Sequence, residues 1–424
     1  MKKTSSRSYT SKTQSENITH RNYLFLFRYC FVIFILSSAD AIMSYFTPVY
    51  LENKTSSSLY MGLILSFSSV IGFISDFLIS YIFKRKTYYF FMVWAAVLAI
   101  SFPFILAFFP NFLIIFLVAM GIWGVYYEFI AFSSFNFISS FMSRSQNASS
   151  WGMLDIIKSL AYAVSPLIAI YLIQRGDKSL FYGVIIISTI AFLFSITILP
   201  KRKEVQHHVE SINLLKQLKI WKVLLNKVWP LYIFLLTVSI LDSSFWTIWT
   251  IFSEDLRKSN SYGGLFITIF MIPALFMGIL TNKVSRPFGK KRAAFISGLL
   301  AGLSLTSFYF IQNIAILLFT TFITGIFLAI AFPEISATFE DYVDRLGVNG
   351  NDMIGLQSSA ISLAYILGPI LNGYISTYVG NKNTFSIMGG LLVIVSLFSL
   401  LNVPLKIKMP MKSLKEIENL KLNQ

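Results

Sequence analysis

The chain has 424 residues, of which 55% are hydrophobic and only 13% are charged, and its formal net charge is +16. A soluble domain of this length has too little interior to hold so many apolar side chains, among them 42 phenylalanines. The composition therefore excludes an ordinary soluble protein. It predicts an all-α polytopic membrane protein, because the surplus apolar side chains must face lipid.

Twelve apolar runs are long enough to cross a bilayer, which takes about 20 helical residues. The predicted spans are 23–48, 59–83, 88–109, 111–141, 150–173, 179–199, 228–252, 262–281, 293–311, 313–334, 353–378 and 384–403. Six spans fall in each half, so we expect two six-helix bundles. The predicted domains are a disordered tail at 1–22, bundles at 23–199 and 228–404, a linker at 200–227 and a basic tail at 405–424.

An internal duplication supports this division. The quartet Ser-Leu-Ala-Tyr occurs at residues 159–162 and again at 362–365, and each copy is followed four residues later by a proline, Pro166 or Pro369. The offset of 203 residues is close to half the chain length. The sequence therefore predicts that the two bundles are pseudo-symmetric copies of one another.

The distribution of Lys and Arg predicts the orientation. Most of the 35 basic residues lie in segments that are cytoplasmic if the N-terminus is inside, as the positive-inside rule requires. We therefore expect both termini in the cytoplasm, a plasma-membrane location and a monomer. The net charge predicts attraction to anionic lipid of the inner leaflet and does not require nucleic acid. The acidic inner loop 335–352, with Glu340, Asp341 and Asp344, is an exception that the sequence does not explain.

The predicted linker 200–227 contains apolar residues at three- and four-residue spacing between residues 214 and 225, interleaved with lysines. This pattern predicts an amphipathic helix that lies on the inner membrane face or under the bundle. We favour a tether between the bundles over a regulatory element.

The residues of metal and cofactor chemistry are scarce. The chain has three histidines, all outside the predicted spans, and a single cysteine, Cys30. Metal-ligand spacing, a phosphate-binding glycine loop and a nucleophile elbow are all missing from the sequence. We therefore predict neither a metal nor a cofactor, and an ATP-driven pump is excluded on the same ground.

The loops after spans 2 and 8 share a pattern, in which a glycine is followed four residues later by an acidic or amide residue and then by a basic cluster. The residues concerned are Gly72, Asp76, Lys84 and Arg85 in the first half, and Gly278, Asn282, Lys283 and Arg286 in the second. Together with the duplication and the basic central loop, this pattern resembles the major facilitator superfamily of secondary transporters. The resemblance implies alternating access, a cavity lined by spans 1, 4, 7 and 10, and a conformational latch at these loops.

A second resemblance lies in span 11, where Gly368 and Pro369 are followed by Gly373, and Pro166 occupies the related place in span 5. Small residues let helices approach closely, and a proline can bend a helix. We expect these residues to form a packing and hinging surface.

Charged residues inside spans identify candidate functional positions, because each costs about 2.5–3.5 kcal/mol near mid-bilayer. Asp40, Glu128, Asp155, Lys158 and Asp242 are the candidates. The spacing predicts that Asp155 pairs with Lys158 and that Glu128 competes for the same lysine. Such a group would let one carboxylate exchange a proton with a solute cavity; the alternative is an ion pair that joins span 4 to span 5.

Asp40 and Asp242 are related by an offset of 202 residues, so we expect them at similar depth beside the central cavity. Trp246 and Trp249 follow Asp242 closely, and the seven-residue spacing places Trp249 on the same helical face as the aspartate. With the serines nearby, these residues suit either a polyol or a lipophilic cation. The alternative is a hydrated aspartate beside an interfacial aromatic belt.

These observations predict a secondary transporter of a small organic solute that is driven by protons and is not an enzyme. The first hypothesis is uptake of a polar metabolite such as a sugar. The alternative is a proton-antiport exporter of drugs or amphipathic metabolites. The alternative from a different class is an integral-membrane enzyme that acts on lipid-linked substrates, for which the acidic loop 335–352 would be the place to look for a catalytic carboxylate.

Overall fold

A computed structural model describes residues 5–83, 86–109, 113–142, 147–201, 214–346 and 350–404. Side chains are described from Asn22 onwards, except at 77, 80–81, 147–149, 214–218, 261, 278–285, 344 and 350–351. Every regular element within these ranges is helical. Lys84, Arg85 and the predicted tail 405–424 lie outside the described residues.

Six helices make up the described part of the first half. They are α1 (Ser5–Thr55), α2 (Ser58–Ile82), α3 (Tyr88–Phe108), α4 (Leu113–Phe141), α5 (Asn147–Ile173) and α6 (Asp177–Ile198). The second half contains α7 (Leu214–Phe245), α8 (Ile248–Ser259), α9 (Phe266–Ser285), α10 (Lys290–Thr306), α11 (Ile314–Leu346), α12 (Gly350–Val379) and α13 (Asn381–Asn402). Short 3₁₀ turns at Ser261–Leu265 and Ser307–Tyr309 precede α9 and follow α10.

Ten helical stretches of the described residues are long and apolar enough to cross a membrane. They coincide with ten of the predicted spans, and α7 and α8 together form the seventh. The other two predicted spans correspond to α9, whose apolar part with the preceding turn is Tyr262–Met277, and to the shorter α10. The chain is an integral membrane protein of the predicted all-helical class.

The chain divides into two compact units. The first contains α1 up to Met43 and the chain from Ile71 to α6, and the second contains residues 44–70 together with α7–α13. In the first unit α3 packs against α4 and α6, and in the second unit α10 packs against α11 and α13. The same packing pattern in each unit shows the duplication in three dimensions.

A chain of hydrogen bonds joins three helices inside the first unit. The hydroxyl of Tyr29 donates to Ser133 Oγ at 3.0 Å, and Ser133 Oγ donates to the carbonyl oxygen of Tyr88 at 3.0 Å. The Tyr29 ring stacks on Phe137, with 4.1 Å between centroids. These side chains tie α1, α3 and α4 together, because an unpaired polar group in an apolar interior is costly.

Residues 44–70, which comprise the second part of α1 and the first part of α2, pack within the second unit. The Tyr45 hydroxyl donates to Ser253 Oγ of α8 at 3.3 Å. A Cβ on Gly62 would overlap the carbonyl oxygen of Pro369, and a Cβ on Gly373 would overlap that of Ser58. Span 11 therefore meets α2 backbone against backbone at the glycine and proline positions that the sequence singled out.

The predicted helix of the linker is present, but it is the first part of α7, which begins at Leu214 and continues without a break to Phe245. Ile220, Leu224 and Val228 are buried at four-residue spacing. This stripe continues into the span, so the apolar face serves the packing of α7. A Cβ on Gly355 of α12 would lie 2.9 Å from the Trp221 ring, which shows how closely that helix approaches.

Two adjacent glycines of α13 offer a test of the packing in the second unit. A Cβ on Gly389 would lie 2.6 Å from Leu305 Cβ and 2.8 Å from the Gly302 carbonyl oxygen, whereas a Cβ on Gly390 would meet nothing within 4 Å. We expect Gly389→Ala to destabilise the protein by about 1–3 kcal/mol through overpacking. Gly390→Ala should stabilise it by about 0.5–1 kcal/mol through helix propensity. Thermal unfolding in detergent measures both, and equal melting temperatures would contradict the observed packing.

Candidate functional site

Asp40 lies in the middle of α1 and is only 7% exposed. Its carboxylate accepts hydrogen bonds from Trp123 Nε1 at 2.8 Å, from the Tyr127 hydroxyl at 3.3 Å and from the Tyr162 hydroxyl. Charge-assisted hydrogen bonds contribute about 1.5–3 kcal/mol each. Such bonds offset part of the cost of about 2.5–3.5 kcal/mol for a carboxylate in a membrane span.

The donors are positioned by two helices. Trp123 and Tyr127 are four residues apart on α4, which places them on one helical face, and their rings stack on each other with centroids 5.8 Å apart. Phe102 of α3 stacks on the other side of Trp123 at 4.7 Å. The orientation of the indole is thereby fixed, so its N–H points to Asp40.

A small cavity adjoins the carboxylate inside the first unit. It has a volume of about 10 Å³, and its lining includes Asp40, Trp123 and Tyr126. A cavity of this size is near the lower limit for a single water molecule and is far too small for an organic solute.

Asp242 of α7 is the counterpart of Asp40 in the second unit. Its Oδ2 accepts a hydrogen bond from the Tyr365 hydroxyl of α12. The serines that follow it do not point to a polyol site, because Ser243 Oγ and Ser244 Oγ both donate to the Ile240 carbonyl oxygen, at 2.8 and 2.9 Å.

The two aspartate sites share one element that the sequence reasoning missed. Tyr162 and Tyr365 are the last residues of the repeated Ser-Leu-Ala-Tyr quartet, and each donates to the aspartate of its own unit. The repetition of the quartet was the signal, and it was used only to locate the duplication. The α4 donors have no equivalent, since an offset of 203 residues places Ile326 and Ile330 where the first half has Trp123 and Tyr127.

The expected cluster of Glu128, Asp155 and Lys158 is not formed. No ion pair within 4.0 Å joins Asp155 to Lys158 in the described chain, although the charges interact, and Lys158 also interacts with Asp40. Glu128 interacts instead with Asp76 of α2. The reason is its place on α4, which packs against α2.

The contact between α2 and α4 is close. A Cβ on Gly72 would lie 3.4 Å from Oε1 of Glu128 and 3.5 Å from the Gly124 carbonyl oxygen. Asp76 lies one helical turn after Gly72 and is exposed. The acidic residue of the first latch sequence therefore has a carboxylate neighbour on α4.

The expected position of Trp249 beside Asp242 is wrong. The α-helix ends at Phe245 and resumes at Ile248, so the seven-residue spacing does not run along one continuous helix. Trp249 is fully buried, with its ring 4.7 Å from Phe385 and 5.1 Å from Phe266. It belongs to an aromatic core of the second unit. Trp246, in the break itself, is partly exposed.

The second latch sequence is described only in part. Gly278, Asn282 and Lys283 lie on α9, but their side chains fall outside the described residues, and Arg286 is exposed. One acidic residue of the inner loop pairs with the basic residues that follow this sequence, since Lys290 Nζ lies 2.5 Å from Asp341 Oδ1 of α11.

Lys291 lies beside this pair and is only 6% exposed. Its ammonium donates to the Pro404 carbonyl oxygen at 3.0 Å and to the Tyr342 hydroxyl at 3.3 Å. It therefore joins the start of α10 to α11 and to the end of α13. Burial lowers the pKa of Lys291 below its usual 10.5, and the charge of Asp341 opposes this shift.

Comparison with known proteins shows related chains and the same fold. The description of the matching family is Major Facilitator Superfamily, and its model matches residues 231–418. The chain is 24% identical over 273 residues to the staphylopine export protein of Staphylococcus aureus, which covers 62% of this chain and 66% of that protein. It is 23% identical over 154 residues to the multidrug resistance efflux pump PmrA of Streptococcus pneumoniae, covering 35% of this chain and 38% of the pump.

Human monocarboxylate transporter 6 is 29% identical over 138 residues, which cover 32% of this chain and 27% of that protein. The matched segments thus span about a quarter to two thirds of these relatives. Among solved structures, the nucleoside transporter NupG has a TM-score of 0.71 at 13% identity, covering 89% of this chain and 98% of NupG. A POT family transporter with bound 5-aminolevulinic acid has a TM-score of 0.72 at 14% identity, covering 89% and 95%. At such low identities these structures show the fold alone.

Lys291 gives the fold a specific pH dependence. Because its pKa is lower in the folded state, the unfolded chain binds more protons between that value and 10.5, so Lys291 makes stability rise as the pH increases through this window. We expect Lys291→Met to reduce the rise in melting temperature on the approach to pH 10.5. The control is Lys258→Met, at a side chain that is 58% exposed. An unchanged slope in Lys291→Met would contradict the assignment.

Proposed function

Since the chain belongs to the major facilitator superfamily, we propose that it is a secondary active transporter that moves a small organic solute by alternating access and couples this movement to protons. The observation that carries the proposal is Asp40, a carboxylate within a membrane span that three aromatic side chains from two other helices hold by hydrogen bonds.

Asp40 is proposed as the proton site and not as a ligand of the solute. Its oxygens already accept three hydrogen bonds, and the adjoining cavity of about 10 Å³ holds at most one water molecule. A proton can still bind, because the tyrosine hydroxyls are able to reorient and accept a hydrogen bond from the protonated acid. The site thus has the size and the chemistry for a proton alone.

Export of an amphipathic solute by proton antiport is the direction that we favour. The serines beside Asp242 bond to their own helix, which weakens the argument for a polyol. Among the described residues Asp242 has one side-chain donor, Tyr365, so it can pair with a cationic group of a solute. Two of the related proteins are named as exporters, the staphylopine export protein and PmrA.

Uptake of a polar metabolite such as a sugar is the second candidate. It is favoured by Oδ1 of Asp242, which accepts no hydrogen bond from any described residue and so can accept one from a solute hydroxyl. The structural likeness to the nucleoside transporter NupG is compatible with a polar solute.

An enzymatic activity on lipid-linked substrates has less support. A catalytic carboxylate would be expected in the acidic loop 335–352. Asp341 of that loop forms an ion pair with Lys290, which favours a structural role for it. We therefore propose a transporter that is not an enzyme. Its proposed setting is the plasma membrane, as a monomer with cytoplasmic termini and with anionic lipid at its basic face.

We expect ethidium, an amphipathic cation, to release protons from proteoliposomes that have an acidic lumen and contain the purified protein. Asp40→Asn should reduce this proton flux at least about tenfold, because the amide cannot carry the proton. Asp177→Asn, at an exposed residue that begins α6, is the matched control and should transport normally. A pH-sensitive dye in the lumen gives the rate.

The same vesicles distinguish the two candidates. Proton flux with neutral sugars but with none of a panel of amphipathic cations would replace export by uptake. Full activity of Asp40→Asn at normal protein levels would refute Asp40 as the proton site.

A further inference from the structure

Each aspartate is held by a tyrosine that also occupies a special position in its own helix. Tyr162 precedes Pro166 by four residues in α5, and Tyr365 precedes Pro369 by four residues in α12. In an α-helix the amide of a residue bonds to the carbonyl four residues earlier, and proline has no amide hydrogen. Pro166 and Pro369 therefore cannot donate the helical hydrogen bond that the carbonyls of these two tyrosines would otherwise receive.

The coincidence occurs twice, in two units that are each compact. In each unit the tyrosine four residues before the proline is also the residue whose hydroxyl donates to the aspartate. The proline turn of the helix and its side-chain attachment to α1 or α7 thus lie at one position. Loss of the hydroxyl's hydrogen bond would therefore act on a turn in which the proline donates no backbone hydrogen bond.

The strength of this attachment depends on the charge of the aspartate. A hydrogen bond to a carboxylate is about twice as strong as one to a neutral group. Asp40 is faced by Tyr126 and Tyr127 of α4 and by Tyr162 and Lys158 of α5. Neutralising the carboxylate weakens every donor bond to it, but only Tyr162 lies on a proline turn.

We propose that Tyr162 and Tyr365 are positioning residues that transmit the charge state of Asp40 and Asp242 to the proline turns of α5 and α12. The proposal deepens the proposed function and rests on it, since binding at an aspartate would then release a hinge. In the first unit the effect is shared among three donors. In the second unit Tyr365 is the one side chain among the described residues that donates to Asp242, so the attachment within that part of the chain depends on it.

Hydrogen exchange of the full-length protein in detergent, followed by mass spectrometry, tests the proposal without a solute. Asp40→Asn keeps an acceptor but removes the charge. We expect this variant and Tyr162→Phe each to speed exchange of peptides covering residues 159–170 by about tenfold. The double variant should exchange no faster than either single variant, because both changes break one attachment.

Tyr127→Phe is the matched control, since it also removes a hydroxyl from Asp40, but from α4, where no proline turn follows. It should leave exchange in residues 159–170 unchanged. In the second unit Tyr365→Phe should speed exchange in residues 362–373 and leave 159–170 unchanged. After correction for intrinsic rates, acidification should move the wild type towards the exchange of Asp40→Asn, whereas Tyr162→Phe should show no such response.

The proposal is overturned if Tyr162→Phe exchanges as slowly as the wild type, or if Tyr127→Phe speeds exchange equally. An additive double variant would also overturn it. If a variant folds poorly, the exchange rate of residues 159–170 in the wild type can still be followed across pH. A rate that does not change with pH, together with unchanged exchange in Asp40→Asn, would also contradict the proposal. Failure of the proposed function appears separately, as missing proton flux in proteoliposomes with the hinge response intact.

Discussion

A carboxylate within the hydrocarbon layer must be supplied with hydrogen-bond donors by the protein, because lipid offers none. The arrangement of the first unit follows from this constraint at Asp40. The indole of Trp123 and the hydroxyls of Tyr127 and Tyr162 come from two other helices, so satisfying one charge fixes the relative positions of three. The interaction that makes the charge tolerable also makes the bundle sensitive to its loss.

The positions of the helices could be predicted from the sequence because lipid imposes a simple requirement, an apolar run of sufficient length. Asp40 and Asp242 stood out for the same reason, since a charge in such a run is costly. The tyrosines that hold the two aspartates were missed, because an aromatic residue does not stand out in an apolar span. Only the repetition of Ser-Leu-Ala-Tyr distinguished them from the other tyrosines of the chain.

The errors share a cause, which is that helical spacing was applied where the chain does something else. The seven-residue spacing places Trp249 beside Asp242 only if the helix is continuous. The helix breaks after Phe245, and Trp249 packs in an aromatic core instead. The lysine at position 158 was paired by spacing alone, whereas the packing of α4 against α2 brings Glu128 to Gly72. Contacts between helices distant in sequence are not encoded in local periodicity.

The duplication is not symmetrical in its chemistry. Both units keep an aspartate and a tyrosine, but only α4 adds an indole and a second hydroxyl, and α11 has Ile326 and Ile330 at the corresponding places. If Asp40 is the proton carrier, the number of protons moved per cycle is set by the donors on α4 and not by the two duplicated aspartates. A carrier of one proton would then differ from a carrier of two at the positions of Ile326 and Ile330, where donors could support a second proton site at Asp242.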